Sequence, residues 1–120
     1  MSYQDLVPLI LTEIVGDFGF KEFANKGGIK PFAVGLVGYV GVVYYLIRSL
    51  QGSKILLVNA AWDGLSALLE SLAAIVFLGE YFDDPLQYIG VALIVIGLFF
   101  LRMPLKNPHK FHFPRLFLRL

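Results

Sequence analysis

Cysteine is absent from the 120 residues, which excludes a disulfide framework and a thiolate metal site. Charged residues are scarce, at 16%, and a formal net charge of +1 gives no basis for a nucleic-acid partner. No Lys or Arg precedes Lys21, so we expect no cleaved signal peptide, which would need a basic start. The length predicts one compact unit without a second domain.

Apolar residues are abundant instead. They make up 58% of the chain, with a mean hydropathy of +0.73, against about 45–50% in soluble domains. A membrane helix needs about 17–25 residues, and four apolar runs approach that length, at about 6–20, 31–48, 55–79 and 85–101. Their short connections predict antiparallel neighbours. We therefore expect an all-α, multi-pass membrane protein with a four-helix transmembrane domain over 1–101 and a tail over 102–120.

Glycines recur on one side of the second and fourth predicted helices. Gly35, Gly38 and Gly41 lie three residues apart in "GLVGYVG", and Gly90 and Gly97 lie seven apart. Such strips let another helix approach closely. They predict helix packing, either within one chain or between two.

Four carboxylates interrupt the apolar runs: Glu13, Asp17, Asp63 and Glu70. A charge at the centre of a membrane helix costs about 2.5–3.5 kcal/mol on insertion scales. The first two acids are four residues apart and the last two are seven apart, so each pair shares one helix face. We expect the two acidic faces to meet across a polar interior. No Lys or Arg lies at matching depth in the sequence, so we expect protons or an external cation to neutralise the acids. For Glu70, a place against a partner helix is an open alternative.

Aromatic residues accompany these acids. Trp62 directly precedes Asp63, Asn59 lies one helical turn earlier, and Tyr39 lies near the middle of the second run. An aromatic face beside a carboxylate attracts an organic cation. The pattern favours cation binding over catalysis, because the few polar residues form no Ser/His/Asp, Cys/His or metal-ligand constellation. We expect no enzyme, no cofactor and no metal.

Taken in order, these segments resemble the small multidrug resistance transporters of the drug/metabolite transporter superfamily. The resemblance rests on "LILTEIVGDFGFK" with its central glutamate, Tyr39 in a Gly-rich helix, "NAAWDG", "FLGEYFDDP", and Gly90 with Gly97. It covers roughly residues 6–101. It implies a dimer that exports small organic cations of drug, guanidinium or polyamine type in exchange for protons, by alternating access.

The resemblance also implies roles for single residues. Glu13 matches the membrane glutamate that binds proton and cation in turn. Tyr39 and Trp62 match aromatic residues that line the binding chamber, and Gly64 falls where the third helix bends. The two glycines of the fourth helix match the dimerisation strip.

Four residues depart from the pattern of the best-known drug exporters. Asp17, Asp63 and Glu70 stand at positions that are uncharged there, and Asn59 stands where an aromatic is common. A more acidic chamber favours a cargo with more than one positive charge. Two alternatives stay open: a non-transporting structural protein that anchors a larger assembly such as a virion or membrane complex, and one half of a heterodimeric transporter.

The tail, "RMPLKNPHKFHFPRLFLRL", has five Lys/Arg and no acid. Basic residues interleaved with Phe and Leu favour the anionic surface of the cytoplasmic leaflet, and docking on another protein is the alternative. His109 and His112 are a lone pair, which is more typical of a polar surface than of a metal site.

Basic residues are distributed unequally between the two ends of the predicted bundle. The end that carries the N-terminus has seven, and the opposite end has three, Lys21, Lys26 and Lys30. The seven are Arg48, Lys54, Arg102, Lys106, Lys110, Arg115 and Arg119. Because Lys and Arg are retained in the cytoplasm, both termini are predicted to be cytoplasmic. The bias favours a parallel homodimer or an oppositely oriented, related partner chain.

Overall fold

Four α-helices follow one another along the chain in a computed structural model that describes residues 3–101 and 111–116. They are α1 (Tyr3–Lys26), α2 (Ile29–Leu50), α3 (Ile55–Leu78) and α4 (Pro85–Leu101). No strand occurs in the described ranges. The predicted all-α fold with four helices is confirmed.

The helix α1 continues beyond the apolar run at 6–20 that predicted it. Residues 21–26 are mostly polar, but Lys, Glu, Ala and Asn are all compatible with a helix. The chain turns at Gly27 and Gly28, whose φ angles of 72° and 102° lie in the region that favours glycine. Polarity therefore ends the apolar run without ending the helix.

The other helix boundaries lie close to the predicted ones. Two additional residues extend α2 at each end relative to 31–48. The end of α3 is set by Gly79, which has a φ of 68° and donates its backbone N–H to the carbonyl of Ala74. The helix α4 covers the predicted 85–101.

Glycines allow α1 and α2 to pack closely. A Cβ atom on Gly35 would lie 2.5 Å from the ring of Phe20, so the ring occupies the space that a side chain would need. Gly38 lies directly against the backbone of Gly16. The glycine strip of α2 thus packs within the chain, which resolves one of the two possibilities that the sequence left open.

Little of the apolar surface is buried inside the single chain. A small core joins the first three helices near the start of α1, and its members are Leu6, Leu9, Ile10, Val42, Val58 and Ala61. The helix α4 packs on α3 and has no buried residue. Both α2 and α3 are long and apolar enough to cross a membrane, and α4 is a shorter apolar helix. Apolar side chains on the outside are what a lipid environment requires.

Ion pairs connect α1 to other elements towards both of its ends. Near the N-terminus, the buried Asp5 accepts a hydrogen bond of 2.9 Å from Nε of Arg48 on α2. Towards the other end, Lys21 pairs with Glu80, which follows α3. The segment of α1 between the two pairs carries Glu13 and Asp17.

Candidate functional site

Three carboxylates from two helices meet about halfway along α1. Glu13 and Asp17 come from α1 and Glu70 comes from α3, and their oxygen atoms lie within 4.8 Å of one another. All three side chains are partly buried. In the described part of the chain, the ion pairs involve other carboxylates. The site therefore concentrates negative charge that no described Lys or Arg balances.

Hydroxyl groups from neighbouring helices contact two of these acids. The hydroxyl of Tyr39 on α2 donates a hydrogen bond to Asp17, and the hydroxyl of Ser66 on α3 donates one to Glu13. Hydrogen bonds to a charged acceptor are stronger than those between neutral groups. The two donors hold the carboxylates of Asp17 and Glu13 in place and leave oxygen lone pairs open for a further ligand.

The local sequence explains how Tyr39 reaches Asp17. A Cβ atom on Gly16 would lie 2.6 Å from the Tyr39 ring, so the ring crosses α1 where a side chain is missing. Phe20 also packs against the Tyr39 ring, with centroids 5.6 Å apart. The glycine at position 16 is thus what brings the α2 phenol to the acidic face of α1.

The remaining predicted site residues of α3 have surroundings that differ from one residue to the next. Trp62 packs against the small core. Gly64 faces α4, where a Cβ atom would come within 3.1 Å of a leucine side chain. Asn59 and Asp63 are exposed in the single chain. Asp63 lies outside the cluster of three carboxylates.

The two glycines predicted for dimer packing face away from the other described residues. A Cβ atom on Gly90 or Gly97 would meet no described atom within 4 Å. Because α4 contacts α3 alone among the helices, this face is available to lipid or to a second chain.

Sequence reasoning did not select Ser66 and left the role of Glu70 open. Both residues share a face of α3 with Trp62, since positions 62, 66 and 70 follow one another at intervals of four. That spacing from Trp62 could have indicated Ser66 as a site residue. The sequence predicted that the acidic faces of α1 and α3 meet. That Glu70 rather than Asp63 joins the cluster depends on how the two helices pack, which no spacing within one helix reveals.

Comparison with known families decides the class of protein. The small multidrug resistance proteins match residues 1–99 of the chain. This chain belongs to the small multidrug resistance family. Membership confirms the predicted family and, together with the apolar helices, the predicted four-helix membrane bundle. It also indicates a membrane transporter rather than an enzyme.

Individual members of the small multidrug resistance family align over most of the chain. A multidrug transporter of Pseudomonas aeruginosa is 28% identical over 85% of this chain and 92% of its own length. A guanidinium exporter of Escherichia coli is 26% identical over 86% of this chain and 97% of its own. A quaternary ammonium compound-resistance protein of Staphylococcus saprophyticus is 22% identical over 82% and 91%. No solved structure matches the chain significantly.

Proposed function

We propose that this small multidrug resistance protein exports a small organic cation in exchange for protons. The observation that carries the proposal is the cluster of Glu13, Asp17 and Glu70, which no described basic residue neutralises. Relatives named as exporting guanidinium and as resisting quaternary ammonium compounds handle organic cations, which supports the same class of cargo.

Competition between protons and cargo explains the exchange. Three carboxylates within 4.8 Å of one another repel strongly in a half-buried site unless part of their charge is neutralised. Protons neutralise them when the cargo has left, and the cargo neutralises them when it is bound. Because both ligands need the same oxygen atoms, each displaces the other.

The number of acids favours a cargo with two positive charges. A single membrane glutamate matches one charge, whereas Asp17 and Glu70 add two further carboxylates at the same place. Coulomb attraction grows with the product of the charges and is large in a low-dielectric site. We propose that a linear diamine or a bis-guanidinium compound binds better than a monocation of similar size.

The cycle assigns a role to each predicted residue. Glu13 and Asp17 bind the cation, Tyr39 and Trp62 supply aromatic faces beside it, and Gly64 permits the bend of α3 during alternating access. Asn59 and Asp63 complete the chamber from a surface that is exposed in one chain. The site stays fixed while the opening moves from one side of the membrane to the other.

A second chain completes the transporter. The open strip at Gly90 and Gly97, on a helix without buried residues, supports pairing through α4. The partner is a second copy or a related chain. We further propose that both termini lie in the cytoplasm, as the distribution of Lys and Arg indicates.

Transport into sealed vesicles tests the proposal. Reconstituted protein is given a pH gradient, and uptake of guanidinium, a tetraalkylammonium ion and a linear diamine is measured. The gradient should drive uptake of the cations, most strongly of the diamine, and a protonophore should abolish that uptake. Absence of uptake for every cation, with protein of unchanged helix content, would contradict transport and favour the alternative of a membrane anchor.

A further inference from the structure

The C-terminal segment 111–116 returns to the end of α2. The side-chain amide of Gln51 donates a hydrogen bond of 2.8 Å to the backbone carbonyl of His112. The same amide accepts one of 3.0 Å from the backbone N–H of His112. Such a reciprocal pair fixes both the position and the direction of the segment. Of the two tail histidines, His109 lies outside the described residues.

Phe111 anchors the segment beside this hydrogen-bonded pair. Its ring centroid lies 5.7 Å from that of Tyr44, edge to face, and 5.2 Å from the guanidinium carbon of Arg48. Arg48 is itself bonded to Asp5 of α1. One guanidinium group therefore connects α1, α2 and the tail.

Four aromatic rings place the segment at the membrane interface. Tyr44 stacks edge to face on Tyr45 at 5.1 Å, and Phe111 stacks on Phe113 at 6.2 Å. Tyr44 and Tyr45 lie in the last two turns of α2, a helix long and apolar enough to cross the membrane, and Phe111 joins the tail rings to them. Belts of aromatic residues occur where a membrane helix meets the lipid headgroups.

The outward side of the segment combines apolar and basic groups. Phe113 and Leu116 are 48% and 70% exposed, and Arg115 is exposed between them. The whole tail has five Lys/Arg and no acid. Apolar side chains suit the boundary between headgroups and acyl chains, and basic ones suit anionic headgroups. We propose that segment 111–116, docked on the end of α2, is a binding surface for anionic phospholipids.

A single fluorescent probe can test lipid binding in the intact chain. The sequence has no cysteine, so Leu116→Cys accepts one environment-sensitive fluorophore without further changes. The protein is placed in nanodiscs of phosphatidylcholine with increasing phosphatidylglycerol. The emission should shift to the blue as the anionic fraction rises. The shift should be lost between about 0.1 M and about 1 M salt, which screens exposed charges.

Matched variants separate this surface from a general effect of charge. Arg115→Gln should weaken the apparent affinity for anionic lipid by about fivefold, and Gln51→Ala should reduce the response by releasing the segment. Lys30→Gln, a change at the opposite end of α2, should have no effect. Equal emission in neutral and anionic nanodiscs would overturn the proposal. So would equal losses for Arg115→Gln and Lys30→Gln, or a shift seen only after a second protein is added.

Discussion

The hydroxyl of Tyr39 donates a hydrogen bond to the carboxylate of Asp17, which joins α2 to the acidic face of α1. The contact exists because Gly16 leaves room for the ring. The phenol donor holds this carboxylate in place beside Glu13 and Glu70. The geometry of the site thus depends on a residue that bears no charge of its own.

Removal of this hydroxyl should weaken cation binding without unfolding the protein. Tyr39→Phe keeps the ring in its packed position but takes away the donor. A hydrogen bond to a charged group contributes about 1.5–3 kcal/mol to stability. Because Tyr39→Phe removes that contribution from the cation-bound site, the affinity for a cation should fall by about tenfold or more. Equilibrium binding in detergent measures the effect. The control Tyr81→Phe changes a tyrosine that is 75% exposed, and an equal loss for both variants would contradict the role of Tyr39.

Removal of Asp17 or Glu70 should weaken the binding of a dication more than the binding of a monocation. Asp17→Asn and Glu70→Gln each remove one ionisable carboxyl group from the cluster. At an effective dielectric constant of 20, two charges 4 Å apart interact by about 4 kcal/mol, so the diamine should lose well over tenfold in affinity. Guanidinium should lose less. Competitive binding of both cations to each variant gives the comparison.

Asp63→Asn provides an internal test of the same idea. The exposed Asp63 lies outside the cluster, so its replacement should change the preference for the dication less than the two changes above. Asp83→Asn, in the exposed turn before α4, is the control variant and should leave the binding of both cations unchanged. Equal losses of diamine and guanidinium in Asp17→Asn would show that this acid is structural.

The four apolar runs correctly predicted four helices, because length and composition are enough to indicate a membrane helix. The apolar run that predicted α1 ends at residue 20, whereas the helix continues through a polar stretch to Lys26, before Gly27. Spacing also placed Glu13 and Asp17 on one face correctly, because both belong to a single helix.

Sequence reasoning predicted that the acidic faces of α1 and α3 meet, but not which of their acids make the contact. The meeting of Glu70 with Asp17 requires α1 and α3 to pack at one particular depth. The pairing of Asp5 with Arg48 joins residues 43 positions apart, and no local pattern links them. Docking of His112 on Gln51 uses backbone atoms of the tail, for which the side-chain sequence offers no signal.

The two glycine strips should respond differently to a large side chain. Gly38 packs on the backbone of Gly16, so Gly38→Leu should lower the stability of the single chain by about 1–3 kcal/mol or more, as overpacking does. A Cβ atom on Gly97 would meet no described atom within 4 Å, so Gly97→Leu should leave that stability unchanged and lower the fraction of cross-linked dimer. Thermal unfolding and cross-linking in detergent distinguish the two. An unchanged dimer fraction in Gly97→Leu would remove the support for pairing through α4.

Orientation can be tested by labelling from each side of sealed vesicles. Gln4→Cys and Leu116→Cys lie at the end of the bundle that carries the N-terminus, and Asn25→Cys lies at the other. The excess of Lys and Arg predicts that the first two positions react from the cytoplasmic side and the third from the opposite side. Equal labelling of each position from both sides would reveal dual topology and contradict a fixed orientation.

Proton release on cation binding tests the central claim most directly. Solubilised protein in weakly buffered solution is titrated with the diamine and with guanidinium, and the protons released are followed with a pH indicator. Both cations should release protons, the diamine more of them. Glu13→Gln should lose most of the binding and the release, while Glu22→Gln, an exposed carboxylate on the same helix, should keep both. Cation binding without proton release, or release from Glu13→Gln equal to that of the unaltered protein, would contradict exchange at this cluster.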